Sequence, residues 1–246
     1  MLKISQAQVD SLGAISAREF EQSVATHLKA LAPAHTGTMG EEALSEFILT
    51  ARERALSFGI TQKETTRVWL ELSMLWGIDF PDDPQFSFAK AILEQEHGEL
   101  LRMRRLHRQA LEFIFLTNGE TLNYHHDALH RVASQDLGDQ LHREHADDSK
   151  IASYLDFLWP EKCDAAGSAA MVELVVACRA NAVAHNLDVG AGPIILAVLS
   201  LFTGVGCLED PQYPWIARSL VSPGLKGVEH LYRRSHAYLK AVLNHG

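Results

Sequence analysis

With 246 residues, 47% of them hydrophobic and 22% charged, the chain is long enough for one large domain or two packed lobes, and too apolar for extended disorder. A formal charge of -9 disfavours nonspecific attraction to nucleic acid or to an anionic membrane surface, and would steer a basic protein toward it. Three cysteines without CxxC spacing, and a start, MLKISQAQ, with no basic region followed by an apolar one, lead us to expect free thiols and a cytoplasmic location.

Apolar residues recur every three to four positions from Val9 through Phe20, Val24 and Leu28 to Leu31, which predicts a first helix from Ser5, with a break near Gly13. Residues 33–40, PAHTGTMG, read as a linker. A second helix is expected over residues 41–58, stopped by Gly59, whose freedom in the left-handed region suits a position just past a helix end. Thr61 and Glu64 have capping-box spacing for a third helix that ends at Gly77. Then comes Asp82-Asp83-Pro84-Gln85-Phe86, a turn in which proline fixes the backbone and aspartate bonds to it, followed by a short helix from Ser87. Further helices are expected around Arg104 and over residues 120–131, 144–159 and 165–184. The most apolar segment, residues 194–205, is too short to span a bilayer and reads as a buried helix. No alternation predicts a sheet, so the fold class is all-α, a multi-helix bundle.

The chain also resembles itself. Residues 46–93 align without a gap on residues 173–220 at a spacing of 127, with identities at Glu46/Glu173, Arg52/Arg179, Ala55/Ala182, Leu72/Leu199, Ser73/Ser200, Gly77/Gly204, Asp83/Asp210, Pro84/Pro211, Gln85/Gln212 and Leu93/Leu220. Random pairing would give roughly three. Asn186 stands where the first copy has Gly59, Asp188 takes the cap position, and Pro193 predicts a later start or a bend in the buried helix. The expectation is one domain of two related units, residues 41–115 and 168–246, around a nonrepeated middle, residues 116–167. Leu56, Leu72, Leu75 and Leu93, with their mates Val183, Leu199, Phe202 and Leu220, are expected inside, as are Trp69, Trp76, Phe88 and Trp215. Arg52 and Arg179 are expected to bond the repeated turn or a neighbouring helix, or else to grip a partner.

No nucleophile elbow, phosphate loop or dinucleotide fingerprint is present. Glu94-x-x-His97 has the spacing that supplies half of a carboxylate-bridged metal site on a helix, and Asp127-x-x-His130 with Glu144 or Asp148 would extend it. The histidines at 125, 126, 130, 142 and 145 read either as a pH-sensitive or interface patch or as zinc ligands. Ordinary surface residues account for these spacings more simply, so neither a metal nor another cofactor is assigned. Arg102, Arg104, Arg105 and Arg108 form a basic run that reads as a solvated helix face, since the rest of the chain is acidic. The middle gathers acids and two aromatics, so Asp147, Asp148, Glu144, Tyr154 and Trp159 are the expected partner-binding residues.

Residues 51–93, through Ala51, Arg52, Ala55, Gly59, Ile60 and Thr61, then Gly77, Phe80, Phe88 and Leu93, resemble a family of small helical bacterial proteins encoded beside type VI secretion spike and effector genes. That resemblance implies an immunity protein that neutralises a cognate effector, or an adaptor that loads one. With the charge, it gives a reading of a non-enzymatic protein whose partner is a basic effector or toxin, with no nucleic acid or membrane partner and homo-oligomerisation left open. The alternative from a different class is a metalloenzyme on Glu94, His97, Asp127 and His130.

Overall fold

The computed structural model describes residues 6–135 and 147–245 of the chain. Among the described residues it is all-helical, with thirteen α-helices, two 3-10 turns and no strand. The helices are α1 (Gln6–Leu31), α2 (Pro33–Met39), α3 (Glu41–Ser57), α4 (Lys63–Trp76), α5 (Ser87–Leu93), α6 (Glu99–Asn118), α7 (Asn123–Ser134), α8 (Asp148–Leu158), α9 (Pro160–Ala166), α10 (Ser168–Ala184), α11 (Gly192–Thr203), α12 (Pro214–Ser219) and α13 (Gly224–His245).

Helix α1 runs through Gly13 unbroken. The expected linker at 33–40 is instead the helix α2: Pro33 suits its first turn, Thr36 returns its hydroxyl to the Ala32 carbonyl at 2.8 Å, and Gly40 ends it at φ 82°. Gly167, at φ 91°, likewise splits the expected helix over 165–184 into α9 and α10. No side-chain cap forms at the start of α4. Glu99 takes that role from α6, accepting from the amides of Thr61 and Gln62 at 2.9 and 2.8 Å. Its neighbour Arg102 donates to the Phe58 and Leu93 carbonyls at 2.9 and 2.5 Å. The turn at Gly59, φ 67°, is therefore clamped from both sides by one helix. Pro193 lies in the first turn of α11, whose cap is Ala191 rather than Asp188.

Helix boundaries recur at the spacing of 127. It separates the ends of α1 and α8, both ends of α2 and α9, both ends of α3 and α10, the ends of α4 and α11, and the starts of α5 and α12. Arg52 pairs with Glu21 of α1 at 2.8 Å, and Arg179 pairs with Asp148 of α8; each is an ion pair to a neighbouring helix. Three apolar clusters fill the interior. Phe47, Leu44, Leu70 and Leu28 anchor the first; Trp69, Trp76, Phe80, Phe86 and Phe113 the second; and Leu174, Leu196, Leu199, Ile216 and Leu231 the third.

Several residues expected inside are not. Leu56 is 51% exposed, Val183 61% and Leu75 46%, while Leu72, Leu93 and Leu199 are buried and Phe202 and Leu220 half-buried. The inward stripe of α3 is Leu44, Phe47, Ile48, Ala51 and Ala55, and one further residue turns Leu56 about 100° away from it. Leu75 is rotated off the buried Met74 and Trp76 for the same reason. Trp69 and Trp76 are buried, whereas Phe88 and Trp215 pack at the edge.

The two repeated turns clasp each other. Asp83 accepts from the Val205 amide at 2.8 Å, and Asp210 accepts from the Ile78 amide at 2.9 Å. Gln85 donates to the Ser200 carbonyl at 3.0 Å, and Gln212 donates to the Ser73 carbonyl at 2.9 Å. Each of these four partners maps onto its counterpart by 127 residues. Between the turns lie Gly77 and Gly204, at φ 92° and 90°. A Cβ on Gly204 would stand 2.2 Å from the Trp76 carbonyl oxygen, and one on Gly77 3.0 Å from that of Thr203. Gly204→Ala is expected to lower the unfolding free energy by about 2–4 kcal/mol, through positive φ and the backbone clash together. Gly37→Ala, inside α2 with nothing within 4 Å of its Cβ, is expected to be neutral or stabilising by about 1 kcal/mol. Urea unfolding of the two variants checks both.

Candidate functional site

The clasp is flanked by two basic side chains in equivalent places, His35 half-buried and Lys162 buried. His35 in α2 donates to Gln212 Oε1 at 3.1 Å and its ring lies 5.7 Å from that of Tyr213. Lys162 in α9, 127 residues later, has its ammonium 5.3 Å from the Phe86 ring and 4.8 Å from that of Trp159, and it donates to the Leu201 carbonyl at 2.5 Å. Burial pushes Lys162 down to about 8 against the opposing pull of Asp83, and burial also lowers His35 from its usual range. Burial raises Asp83, although the amides of Gln85 and Val205 oppose it. Lys162 and Asp83 thus face protein rather than solvent, and His35 sits half-buried at the edge of the clasp.

Asp210 is pushed up to about 6, first by desolvation, against hydrogen bonds from Gln212 and Ile78. Its ordinary value is 3.8, so between about pH 4 and 6 the folded chain holds a proton that the unfolded chain has released. The contribution of this carboxyl to stability is therefore full below pH 4 and lost as pH rises to 6. His35 acts in the opposite sense, losing stability as pH falls below its ordinary range. Asp210→Asn is expected to remove the carboxyl's part, a change of up to about 3 kcal/mol in the difference between pH 4 and pH 6. Urea midpoints of variant and parent across that window measure it.

The residues expected to bind a partner fare differently. Trp159 is only 4% exposed: its indole N–H donates to the Thr117 carbonyl at 2.8 Å and its ring stacks on Phe202 at 5.1 Å. It is a core residue and anchors nothing on this surface. Tyr154 is half-buried, its hydroxyl pushed up to about 12 by burial, over a cavity of about 20 Å³ shared with Tyr232 and His236, too small for a ligand larger than a water. Asp147 is exposed and caps α8, accepting from the Lys150 amide at 2.8 Å and from Ser149 at 2.7 Å, bonds that hold its carboxyl down to about 2. Asp148 pairs with Arg179. Glu144 lies outside the described residues, as do His142 and His145.

Glu94 and His97 do not share a helix face, because α5 ends at Leu93 and both lie in the following loop. His126 and His130 meet ring to ring at 4.5 Å, while His125 packs on Trp159 at 5.2 Å, and burial, first, with Lys162 second, pushes it down to about 4. Among the described residues no three His, Cys, Asp or Glu side chains are grouped to hold a metal ion. The cysteines 163, 178 and 207 are free and buried. A groove of about 450 Å³ between α1 and α4 is lined by Glu19, Phe20, Ser23, Lys63, Glu64 and Arg67. Arg67 and Lys63 reach across it to Ser23 and Ser16 at 3.2 and 2.9 Å.

Two surfaces that periodicity did not single out are apolar and open to solvent. Outward on α10 lie Val172, Val176 and Val183, 45–61% exposed, with the exposed Ala169 before them and Ala180 among them. The equivalent outward positions of α3 hold Ser45, Leu49, Leu56, Glu42 and Glu53. Outward on α6 lie Leu101, Leu111 and Phe115, 44–57% exposed. A class change at aligned outward positions, Glu42 to Ala169 and Glu53 to Ala180, was the available signal for the first. Comparison of the chain with protein-family models, curated proteins and solved structures finds no match, and no single helix among the described residues is long and apolar enough to cross a membrane.

Proposed function

We propose that this chain is a binding protein, an immunity protein that captures a basic cognate effector on the outward face of α10. The observation that carries the reading is that solvent-facing stripe of valines and alanines on a helix whose counterpart, α3, carries glutamates there. A monomer gains solubility from charge at such positions, and exposed contiguous apolar surface marks a contact. Helices α8 and α9 pack against α10 and carry Asp156 and Asp164, which with Glu173 of α10 itself are exposed. None of the three makes an ion pair among the described residues. An apolar centre with an acidic surround, in a chain of charge -9, matches a partner whose contact surface is apolar and rimmed by lysine and arginine. The resemblance of residues 51–93 to proteins encoded beside type VI effector genes supports the same reading.

Val176→Glu is expected to weaken effector binding at least tenfold and to abolish rescue of cells expressing the effector encoded beside the gene. Leu49→Glu, at the equivalent place on α3, is expected to leave both unchanged. Purified-protein affinity and survival in co-expression are the two readouts. Binding without rescue by the parent chain would replace immunity with adaptor, and equal losses in the two variants would move the contact off α10.

A further inference from the structure

The outward side of α6 repeats at intervals of three and four residues through Leu101, Arg104, Arg108, Leu111 and Phe115. Such spacing lines residues along one seam of a helix, the pattern by which a second helix is gripped. All five are exposed, while Met103, Leu106, Ala110 and Phe113 on the opposite side enter the core. The helix is thus apolar toward the protein and partly apolar toward solvent. Helix α13 supplies a contrast within the same chain: aligning Arg104–His107 with Arg233–His236, the sequence rhythm the two helices share, puts His230, Arg233, Ala237, Lys240 and Asn244 at the seam positions. His230, Arg233, Ala237 and Lys240 are exposed there without a large apolar side chain, whereas α6 has leucine and phenylalanine at the two ends of its seam.

Charge selects the occupant. Arg104 and Arg108 make no ion pair or hydrogen bond among the described residues, in a chain with 31 acidic side chains to 22 basic ones. A second copy seated on the same seam would set four guanidiniums along one line, which opposes pairing of α6 with itself. Two exposed arginines between leucines and a phenylalanine fit a helix that is apolar along one edge and carries carboxylates beside it. We propose that the outward seam of α6 is a docking surface for an acidic amphipathic helix of another protein, with Phe115 and Leu111 as its apolar anchor and Arg104 and Arg108 as its charge contacts. Aromatic and arginine side chains are the types that dominate interface energetics. This surface is separate from the α10 face and does not rest on the identity of any effector. A chain with one acid-rimmed and one arginine-bearing apolar face is able to hold two partners of opposite charge.

The probe is a synthetic peptide of three heptads with leucine at the seam positions and glutamate beside them, paired with an otherwise identical lysine version. Self-repulsion keeps each peptide from pairing with itself at neutral pH and low salt. Binding of the fluorescent peptides to the full-length chain is read by anisotropy, and hydrogen exchange of the chain maps the contact. The glutamate peptide is expected to bind at least tenfold tighter than the lysine peptide, to weaken as salt rises, and to protect α6. Phe115→Ala should weaken it at least tenfold, Arg104→Glu with Arg108→Glu should reverse the preference between peptides, and Leu49→Glu, exposed on α3, should leave peptide affinity unchanged. Circular dichroism and urea midpoints matching the parent show that the α6 variants are folded, which their exposed positions favour. Equal binding of both peptides, no binding of the glutamate peptide, protection mapping outside α6, or an unaltered affinity in folded Phe115→Ala overturns the proposal. So does a concentration-dependent dimer with α6 protected in the absence of peptide, which would make the seam a contact between copies of this chain.

Discussion

The two halves of this fold are joined through two amide hydrogens that would otherwise be orphaned just past helix ends, and through two helix-end carbonyls, those of Ser73 and Ser200, that accept a second bond there. After α4 and after α11 the chain turns at a glycine, and the next backbone N–H points into the interior. Asp210 receives one of these and Asp83 the other. The side chains that finish each helix therefore belong to the opposite half of the molecule. Glycine is required on both sides because the turns approach closely enough that a β-carbon on Gly204 would lie 2.2 Å from the Trp76 carbonyl oxygen. The acids are costly to bury, as the upward displacement of Asp210 to about 6 shows; hydrogen bonds to two amides and a glutamine side chain offset that cost. Removing a single member would leave its partner unsatisfied in the interior, which is why the cluster works as a unit.

The residues of 51–93 that carry the resemblance are structural ones. Gly59 and Thr61 belong to the corner clamped by Glu99 and Arg102, Arg52 ties α3 to α1, and Gly77 with the Asp-Pro-Gln turn belongs to the clasp. The motif is made of structural fixtures, and a signature of that kind transfers a scaffold rather than a task. The two outward apolar faces lie outside that stretch, on α6 and α10.

Helix existence, the glycine stops and the repeated turn were legible in the sequence because each depends on local chemistry: apolar spacing, left-handed backbone and the proline-aspartate turn. What failed was tertiary. Leu56, Leu75 and Val183 are apolar in sequence and solvent-facing in the fold, since periodicity gives the width of a stripe but not the angle at which a neighbour covers it. Trp159 lies in a stretch rich in acids, which reads as surface, yet Thr117 and Phe202, remote in sequence, enclose it. The Glu94-x-x-His97 spacing depended on a helix that stops one residue earlier. The short helix α2 reads as a linker in the sequence because its small residues give no apolar period, though Met39 and Thr36 are buried.

The reciprocity of the clasp also sets a schedule. The Ile78 amide waits for a residue 132 positions downstream, and Asp83 waits for one 122 positions downstream, so neither turn is satisfied until nearly the whole chain has left the ribosome. At ordinary rates of translation the first unit stands unfinished for roughly ten seconds, with the Gly77 corner open. Two chains emerging side by side hold the same pair of complementary corners. An Asp210 supplied in trans closes the corner as well as one supplied in cis, so exchange of halves between neighbouring nascent chains is the characteristic error this architecture must outrun.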